Sequence, residues 1–285
     1  MLPFRKILVP IDYSERCLAI APYVTEMARH FSGEVTLIHA YGPEALAYSP
    51  LPITDPRLPE EAKRLEEQRL RRFAERMFPG QRVETIAELG EAGSVVEQAV
   101  QRHGADLVML ATHGRGPVRR FLLGSVAAKV LHDASAAVWT GSRSVFEGHA
   151  PRIPYKSILC AIDDTDEAEA AVQAAAAFAR GYQARLWLVH IVETPAALKV
   201  DFTPYRRALM DSADARLREL KGRLEIDAPH AAVEADVAEG IRQEAARREA
   251  DLIVTGRGRA QERFSTMLSR LYSIVRESPC PVLSI

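Results

Sequence analysis

Apolar positions along this chain fall into two alternating patterns. Short continuous runs such as Ile7-Leu8-Val9 and Leu107-Val108-Met109-Leu110 read as strands buried on both faces of a parallel sheet. Longer stretches carry apolar residues every three to four positions and read as helices with one buried face. In the first half the pattern predicts strands over 6–11, 34–40, 82–88, 106–111 and 136–140, and helices over 15–31, 59–77, 94–102 and 126–132. In the second half it predicts strands over 157–162, 185–191, 231–237, 251–255 and 281–285, and helices over 167–180, 204–224, 241–248 and 266–277. The charge-rich segment 60–76 reads as one solvated helix face, with Leu65, Leu70, Phe73 and Met77 turned inward. Strands alternating with helices specify an α/β fold with a parallel sheet.

The two halves are copies of one another. Lys6-Ile7-Leu8-Val9-Pro10-Ile11-Asp12 returns as Ser157-Ile158-Leu159-Cys160-Ala161-Ile162-Asp163, and Val35-Thr36-Leu37-Ile38-His39 as Leu186-Trp187-Leu188-Val189-His190, both offset by 151 positions. Ala105-Asp106-Leu107-Val108 returns as Ala250-Asp251-Leu252-Ile253 at an offset of 145, so the second copy has lost residues in the middle. This predicts domains over 1–144 and 155–285, with the segment 141–155, which holds Gly148, Pro151 and Pro154, as linker. Trp139, on the last strand of the first copy, would be exposed on an isolated domain, so cover from the second copy is expected.

A chain of 285 residues is comfortable as two domains, and a net charge of −1 offers no global field for nucleic acid or an anionic membrane. Three widely spaced cysteines, Cys17, Cys160 and Cys280, without a C-x-x-C, fit a reduced cytoplasmic setting and small buried hydrophobes. The first residues lack the layout of a signal peptide, and no apolar run is long enough to span a membrane.

Chemistry concentrates between Leu107 and Leu131. The strand Leu107–Leu110 runs into Ala111-Thr112-His113-Gly114-Arg115-Gly116, and a helix is due to begin near Gly124-Ser125-Val126. Nine residues separate Gly114 from Gly124, and no carboxylate falls between Asp106 and Asp133, while Arg115, Arg119, Arg120 and Lys129 do. Glycine lets a ligand approach the backbone, and the N–H groups at a helix start donate to phosphate oxygens. The same glycines also serve as loop punctuation and Ser125 as an ordinary N-cap, and spacing alone leaves both readings open. Neither G-x-x-x-x-G-K-[ST] nor G-x-G-x-x-G occurs. His39 and His190 end equivalent strands, where core packing competes with metal ligation, and no zinc-type spacing supports the latter.

Taken together, Leu8-Val9-Pro10-Ile11-Asp12, the strand ending in His39, Ala105-Asp106-Leu107-Val108, Thr112-His113-Gly114-Arg115-Gly116 and Leu122-Leu123-Gly124-Ser125-Val126 resemble the universal stress protein family over nearly the whole chain. The resemblance implies two tandem Rossmann-like domains, each a five-stranded parallel sheet with helices on both faces and with the first and fourth strands adjacent. It implies binding of ATP, ADP or AMP, with or without Mg, through G-x-x-G, nine residues, then G-[ST]. Here Gly114, Gly124 and Ser125 match, and Ala111 replaces the first glycine. By the same resemblance Asp12 meets the adenine, Pro10 and Ile11 line its pocket, and the backbone at His39 and Ala40 contacts base or ribose. Ala111 lies by the ribose, and Gly114, Arg115, Gly124, Ser125 and Val126 reach the phosphates; His113, read from the residues alone, is either a further phosphate donor or a turn residue. The family also pairs domains through the last strand, which implies pairing of the two halves, a homodimer, or both, and a protein partner for signalling.

In the second copy Gly256 stands for Ala111, but Arg259 replaces Gly114, Ser269 replaces Gly124 and Arg270 replaces Ser125. The expected function is therefore a cytoplasmic stress protein that binds adenine nucleotide in its N-terminal domain, with a C-terminal domain that has lost the motif. No residue is placed as a general base, so at most slow ATP hydrolysis is expected. The alternative is an adaptor without nucleotide, acting through protein contacts. The long loop 42–59 reads as a lid over the first site or as packing for the sibling domain.

Overall fold

The computed structural model describes residues 3–48, 50–52, 54–112, 123–147, 149–163, 168–193, 203–257 and 266–285. The chain divides into two compact units, residues 3–141 and 142–285.

The first unit contains β1 (Lys6–Pro10), α1 (Glu15–Ala19), α2 (Ala21–Phe31), β2 (Glu34–Tyr41), α3 (Leu58–Met77), β3 (Glu84–Leu89), α4 (Ala92–His103), β4 (Leu107–Ala111), α5 (Ser125–Asp133) and β5 (Ala137–Gly141). Its strands lie in the order β3-β2-β1-β4-β5 and every pairing is parallel. β1 registers against β2 on one side (Val9 with Leu37) and against β4 on the other (Leu8 with Val108). The chain leaves β1 in one direction and returns beyond it to β4, so the gap between the carboxyl ends of β1 and β4 is a topological switch point. Right-handed crossovers put α1, α2 and α3 on one face and α4 and α5 on the other, and α4 packs on α5 while α1 packs on α3. Both faces of β1 and β4 are thus covered: Ile7, Leu8, Val9, Leu107, Val108 and Met109 are all buried.

The expected helix over 15–31 is two helices. Pro22 has no N–H to continue the helical ladder, and the chain restarts at Ala21 with Ile20 as N-cap and the proline in the first turn. The expected loop 42–59 holds a 3-10 helix, Pro43–Tyr48, whose Ala45 is buried against Tyr41 and Ala87 of the same domain. Trp139 is buried, with the Tyr23 ring 5.2 Å away.

The second unit contains a short helix α6 (Arg143–Phe146), then β6 (Ser157–Ile162), α7 (Ala168–Tyr182), β7 (Arg185–Val192), α8 (Thr203–Arg223), β8 (His230–Glu234), α9 (Val237–Arg247), β9 (Leu252–Thr255), α10 (Thr266–Glu277) and β10 (Val282–Ser284). Its parallel order β8-β7-β6-β9-β10 repeats that of the first unit. The strand expected over 231–237 stops at Glu234, because the Asp236 carboxylate accepts from the N–H groups of Ala238 (3.1 Å) and Glu239 (3.2 Å) and starts α9 at Val237. Glu91 caps the equivalent helix α4 through Gly93 (2.8 Å) and Ser94 (2.9 Å). All three cysteines are free thiols and buried. No described helix is long and apolar enough to cross a membrane.

Candidate switch-point site

In the first domain the carboxyl ends of β1 and β4 lie side by side, with Pro10 and Ala111 as the terminal strand residues. Ala111 registers with Gly141 in regular extended backbone, and no positive φ occurs there. The missing first glycine therefore imposes no conformational strain. Thr112 is buried, and its carbonyl accepts the Gly124 N–H at 2.8 Å, which fastens the end of β4 to the start of α5. Residues His113, Gly114 and Arg115 lie outside the described residues.

Gly124, not Ser125, is the N-cap of α5. It has φ −62° and ψ 147°, no side chain among the described residues caps the helix, and its carbonyl accepts from Ala128 at 2.9 Å. Ser125 is the first helical residue and is exposed, Val126 follows half-buried, and no acidic residue stands in the first turn. Any residue adopts the dihedrals of Gly124, so its lack of a side chain matters for approach and not for backbone conformation. An uncapped helix start with a positive dipole end suits an anion.

On the β1 side, Ile11 is buried and donates its N–H to Ile38 at 2.8 Å. The Ile11 carbonyl lies 2.7 Å from His39 Nδ1. Two acceptors do not bond, so Nδ1 carries the proton. Half-buried Asp12 has a built role of its own: Oδ1 accepts the Ser14 N–H at 2.9 Å and the Cys17 thiol at 3.0 Å. Ser14, in turn, is the N-cap of α1. Burial and, second, the Asp12 charge push the Cys17 thiol up to about 12. Ala40 is half-buried and registers with Glu88.

Sequence reasoning missed the side chains that close over this end of β1. Tyr13 sits at φ 62°, with its ring 4.3 Å from that of His39, 5.5 Å from that of Phe73, and 4.1 Å beneath the Arg69 guanidinium. Its hydroxyl donates to the buried Glu66 carboxylate at 3.3 Å, and the same carboxylate stands 3.7 Å from His39 Nε2. The signal for Glu66 was its position: Ala62, Glu66, Leu70, Phe73 and Met77 form the buried stripe of α3, and Glu66 occupies a core place within a run that charge alone assigns to solvent.

The second domain repeats two of these contacts. His190 Nδ1 lies 3.0 Å from the Ile162 carbonyl, as His39 does from Ile11. Asp251 accepts the N–H groups of Lys156 (2.7 Å) and Ser157 (3.0 Å), as Asp106 does those of Arg5 (2.8 Å) and Lys6 (3.1 Å). The helix start is not repeated. At the offset of 145, Ser125 corresponds to Arg270, yet α10 begins at Thr266, four residues earlier. The helix therefore reaches about 6 Å further toward the sheet end. Arg270 is ion-paired with Glu193, and residues 258–265 lie outside the described residues.

Two doubly wound α/β domains in tandem, each with a switch point between its first and fourth strands, define the class of protein. The profile of the universal stress protein family matches the chain twice, over residues 3–140 and 154–285, and the chain belongs to that family. A relative from Staphylococcus epidermidis, named "Putative universal stress protein SERP1273", is 25% identical over 141 residues, 48% of this chain and 84% of that protein. Among solved structures, a universal stress protein from Archaeoglobus fulgidus matches 98% of this chain and 95% of its own at a TM-score of 0.70 and 20% identity. A protein of unknown function from Pseudomonas aeruginosa, PA1789, matches 99% of this chain and 92% of its own at a TM-score of 0.64 and 16% identity. Those likenesses establish the fold over both domains.

Proposed function

We infer that the N-terminal domain binds ATP or another adenine nucleotide at the β1/β4 switch point, and that this binding serves a regulatory role in a stress response. The observation that carries the reading is the start of α5: Gly124 as N-cap with no side-chain cap among the described residues, fastened to Thr112 at the end of β4, with Ser125 exposed beside it. The backbone N–H groups of the first turn suit the phosphates. Pro10, Ile11, Asp12, His39 and Ala40 stand at the neighbouring strand ends for the base and ribose, and Ala111, in unstrained extended backbone, tolerates the loss of the first glycine. The earlier start of α10 and the ion-paired Arg270 support a C-terminal domain without that anion cradle.

A ligand that binds only the native state raises the melting temperature. Titration with ATP, with and without Mg, and with ADP and AMP, is expected to raise it. No rise at millimolar nucleotide favours the second reading, an adaptor acting through protein contacts. That reading draws on Asp12, whose Oδ1 is already engaged by Ser14 and Cys17.

A further inference from the structure

At the amino end of β8, the opposite end of the sheet from the switch point, α8 and the first strand residue bring three side chains into line. Asp214 and Lys221 share one face of α8, and His230 opens β8 between them. His230 Nε2 lies 3.2 Å from Asp214 Oδ1, and Nδ1 lies 3.4 Å from Lys221 Nζ. A carboxylate accepts, so Nε2 carries the imidazole proton; an ammonium donates, so the Nδ1 lone pair faces it. All three side chains are half-buried, and Arg218 holds Asp214 from a second side. An amine thus touches a base, and a carboxylate fixes the tautomer of that base and steadies the cation it becomes. This is the arrangement that activates a nucleophile.

The fold does not require the cluster. Leu70 and Leu217, both buried, set α3 against α8 at an offset of 147 positions, so Glu67 and Ala74 stand where Asp214 and Lys221 do. Leu37 registers with Thr85 as Leu188 does with His230, so Thr85 takes the place of the histidine. The first domain builds the same junction of helix and strand with neither amine nor base. The other described lysines also differ. Lys63 and Lys129 pair with Glu67 (4.0 Å) and Asp133 (3.0 Å), Lys6 donates to the His103 carbonyl at 3.0 Å, and Lys156 is exposed. A carboxylate or a carbonyl holds the ammonium proton in place, whereas a neutral imidazole takes it.

We propose that Lys221 is a covalent capture site for a small aldehyde, bound as an imine with His230 as proton carrier. The ammonium passes one proton to His230 Nδ1, and the freed Nζ lone pair attacks the aldehyde carbon. A second Nζ proton moves to the former carbonyl oxygen, giving a carbinolamine. The imidazolium returns its proton to that hydroxyl, which leaves as water while the C=N bond forms. Ammonium and aldehyde become protonated imine and water, and His230 ends as it began. Charge selects the aldehyde over an acyl donor: Lys221 lies in the last turn of α8, where the negative end of the helix dipole favours a cation. A protonated imine keeps that charge and an amide discards it. The site does not rest on the nucleotide reading above.

Propanal with sodium cyanoborohydride, applied to the full chain near neutral pH, reduces the imine to a stable secondary amine that peptide mapping by mass spectrometry reads at each lysine. Lys221 is expected to react at least about tenfold faster than exposed Lys156, a modest part of what a placed proton carrier adds. Acetyl phosphate, an acyl donor, should prefer Lys221 less than propanal does. His230→Gln should bring Lys221 down to the rate of Lys156 or below it and leave Lys63 and Lys156 unmoved. If that variant melts early, Asp214→Asn is expected to slow Lys221 at least about threefold, since the base loses the group that orients it. A Lys221 that reacts no faster than Lys156, a rate unchanged by His230→Gln or, where that variant melts early, by Asp214→Asn, or an equal preference with acetyl phosphate would each overturn the proposal.

Discussion

Asp251, the residue before β9, holds the start of β6 by accepting the backbone N–H of Ser157 at 3.0 Å, and it is itself buried. It also takes the Lys156 N–H at 2.7 Å and pairs with Arg152 at 2.7 Å. Asp106 makes the same pair of backbone contacts in the first domain from a half-buried position. Removing a buried carboxylate leaves several donors without their acceptor. Asp251→Ala should therefore cost about 2–4 kcal/mol, and Asp106→Ala about 1–2 kcal/mol because water replaces part of what is lost. Urea unfolding of the two variants checks the order; equal losses would contradict the difference in burial.

Gly124 separates fold from ligand. At φ −62° it needs no special freedom, so Gly124→Val should lower stability by no more than about 1 kcal/mol, the loss expected of a poorer N-cap. The added methyl groups stand where phosphate oxygens would approach, and ATP affinity should fall at least about tenfold. Calorimetric titration alongside a thermal melt reads both, and unchanged affinity in a folded variant counts against the assigned site.

Cys17 should be inert to thiol reagents in the native protein. Its thiol is pushed from 9.0 up to about 12 by burial and then by Asp12, and burial raises Cys160 and Cys280 in the same direction. The folded state thus keeps a proton that the unfolded chain releases. The corresponding stability is fully present below about pH 9 and is lost as pH rises toward the folded value. Ellman's reagent at pH 8 should label none of the three thiols until denaturant is added, and Cys17→Ala should flatten the alkaline limb of a stability curve.

The Glu91 cap gives the opposite slope. Its carboxyl is held below the usual value of 4.5, chiefly by the Gly93 N–H, then by the Ser94 N–H and hydroxyl. The stability it confers is present above about pH 4.5 and lost as pH falls through the folded value. Glu91→Ala should cost about 1 kcal/mol at pH 7, and the gap between wild type and variant should narrow as pH falls below the usual carboxylate value of 4.5. A gap independent of pH would mean that the carboxylate charge plays no part.

Much of the fold is legible in the sequence because β1, β4, β6 and β9 are apolar runs covered on both faces, and because the motif recurs. The order of the strands is not legible: it depends on the direction of each crossover, which Lys6-Ile7-Leu8-Val9 does not encode. The boundary at Val237 was misread because a β-branched residue suits either element, and the Asp236 cap decides. On the site, glycine spacing marks the helix mouth, but the role of Gly124 as N-cap follows from its extended dihedrals and the carbonyl it offers to Ala128. The Tyr13–Glu66–His39 cluster joins residues from three segments, and pattern within any one of them carries no trace of it. The engagement of Asp12 by Cys17 is equally tertiary.

The Asp106 clamp has a consequence for synthesis. Arg5 and Lys6 leave the ribosome well before Asp106, since the carboxylate that receives their N–H groups is made 100 or more residues later. The central strand of the first domain must wait, threaded but unfastened, until β2, β3 and their helices have emerged. The same delay is repeated over 94 or 95 residues in the second domain. A translational pause or truncation that leaves β4 inside the exit tunnel therefore exposes an apolar strand with one edge unclaimed, and such nascent chains are the form of this protein most in need of a chaperone.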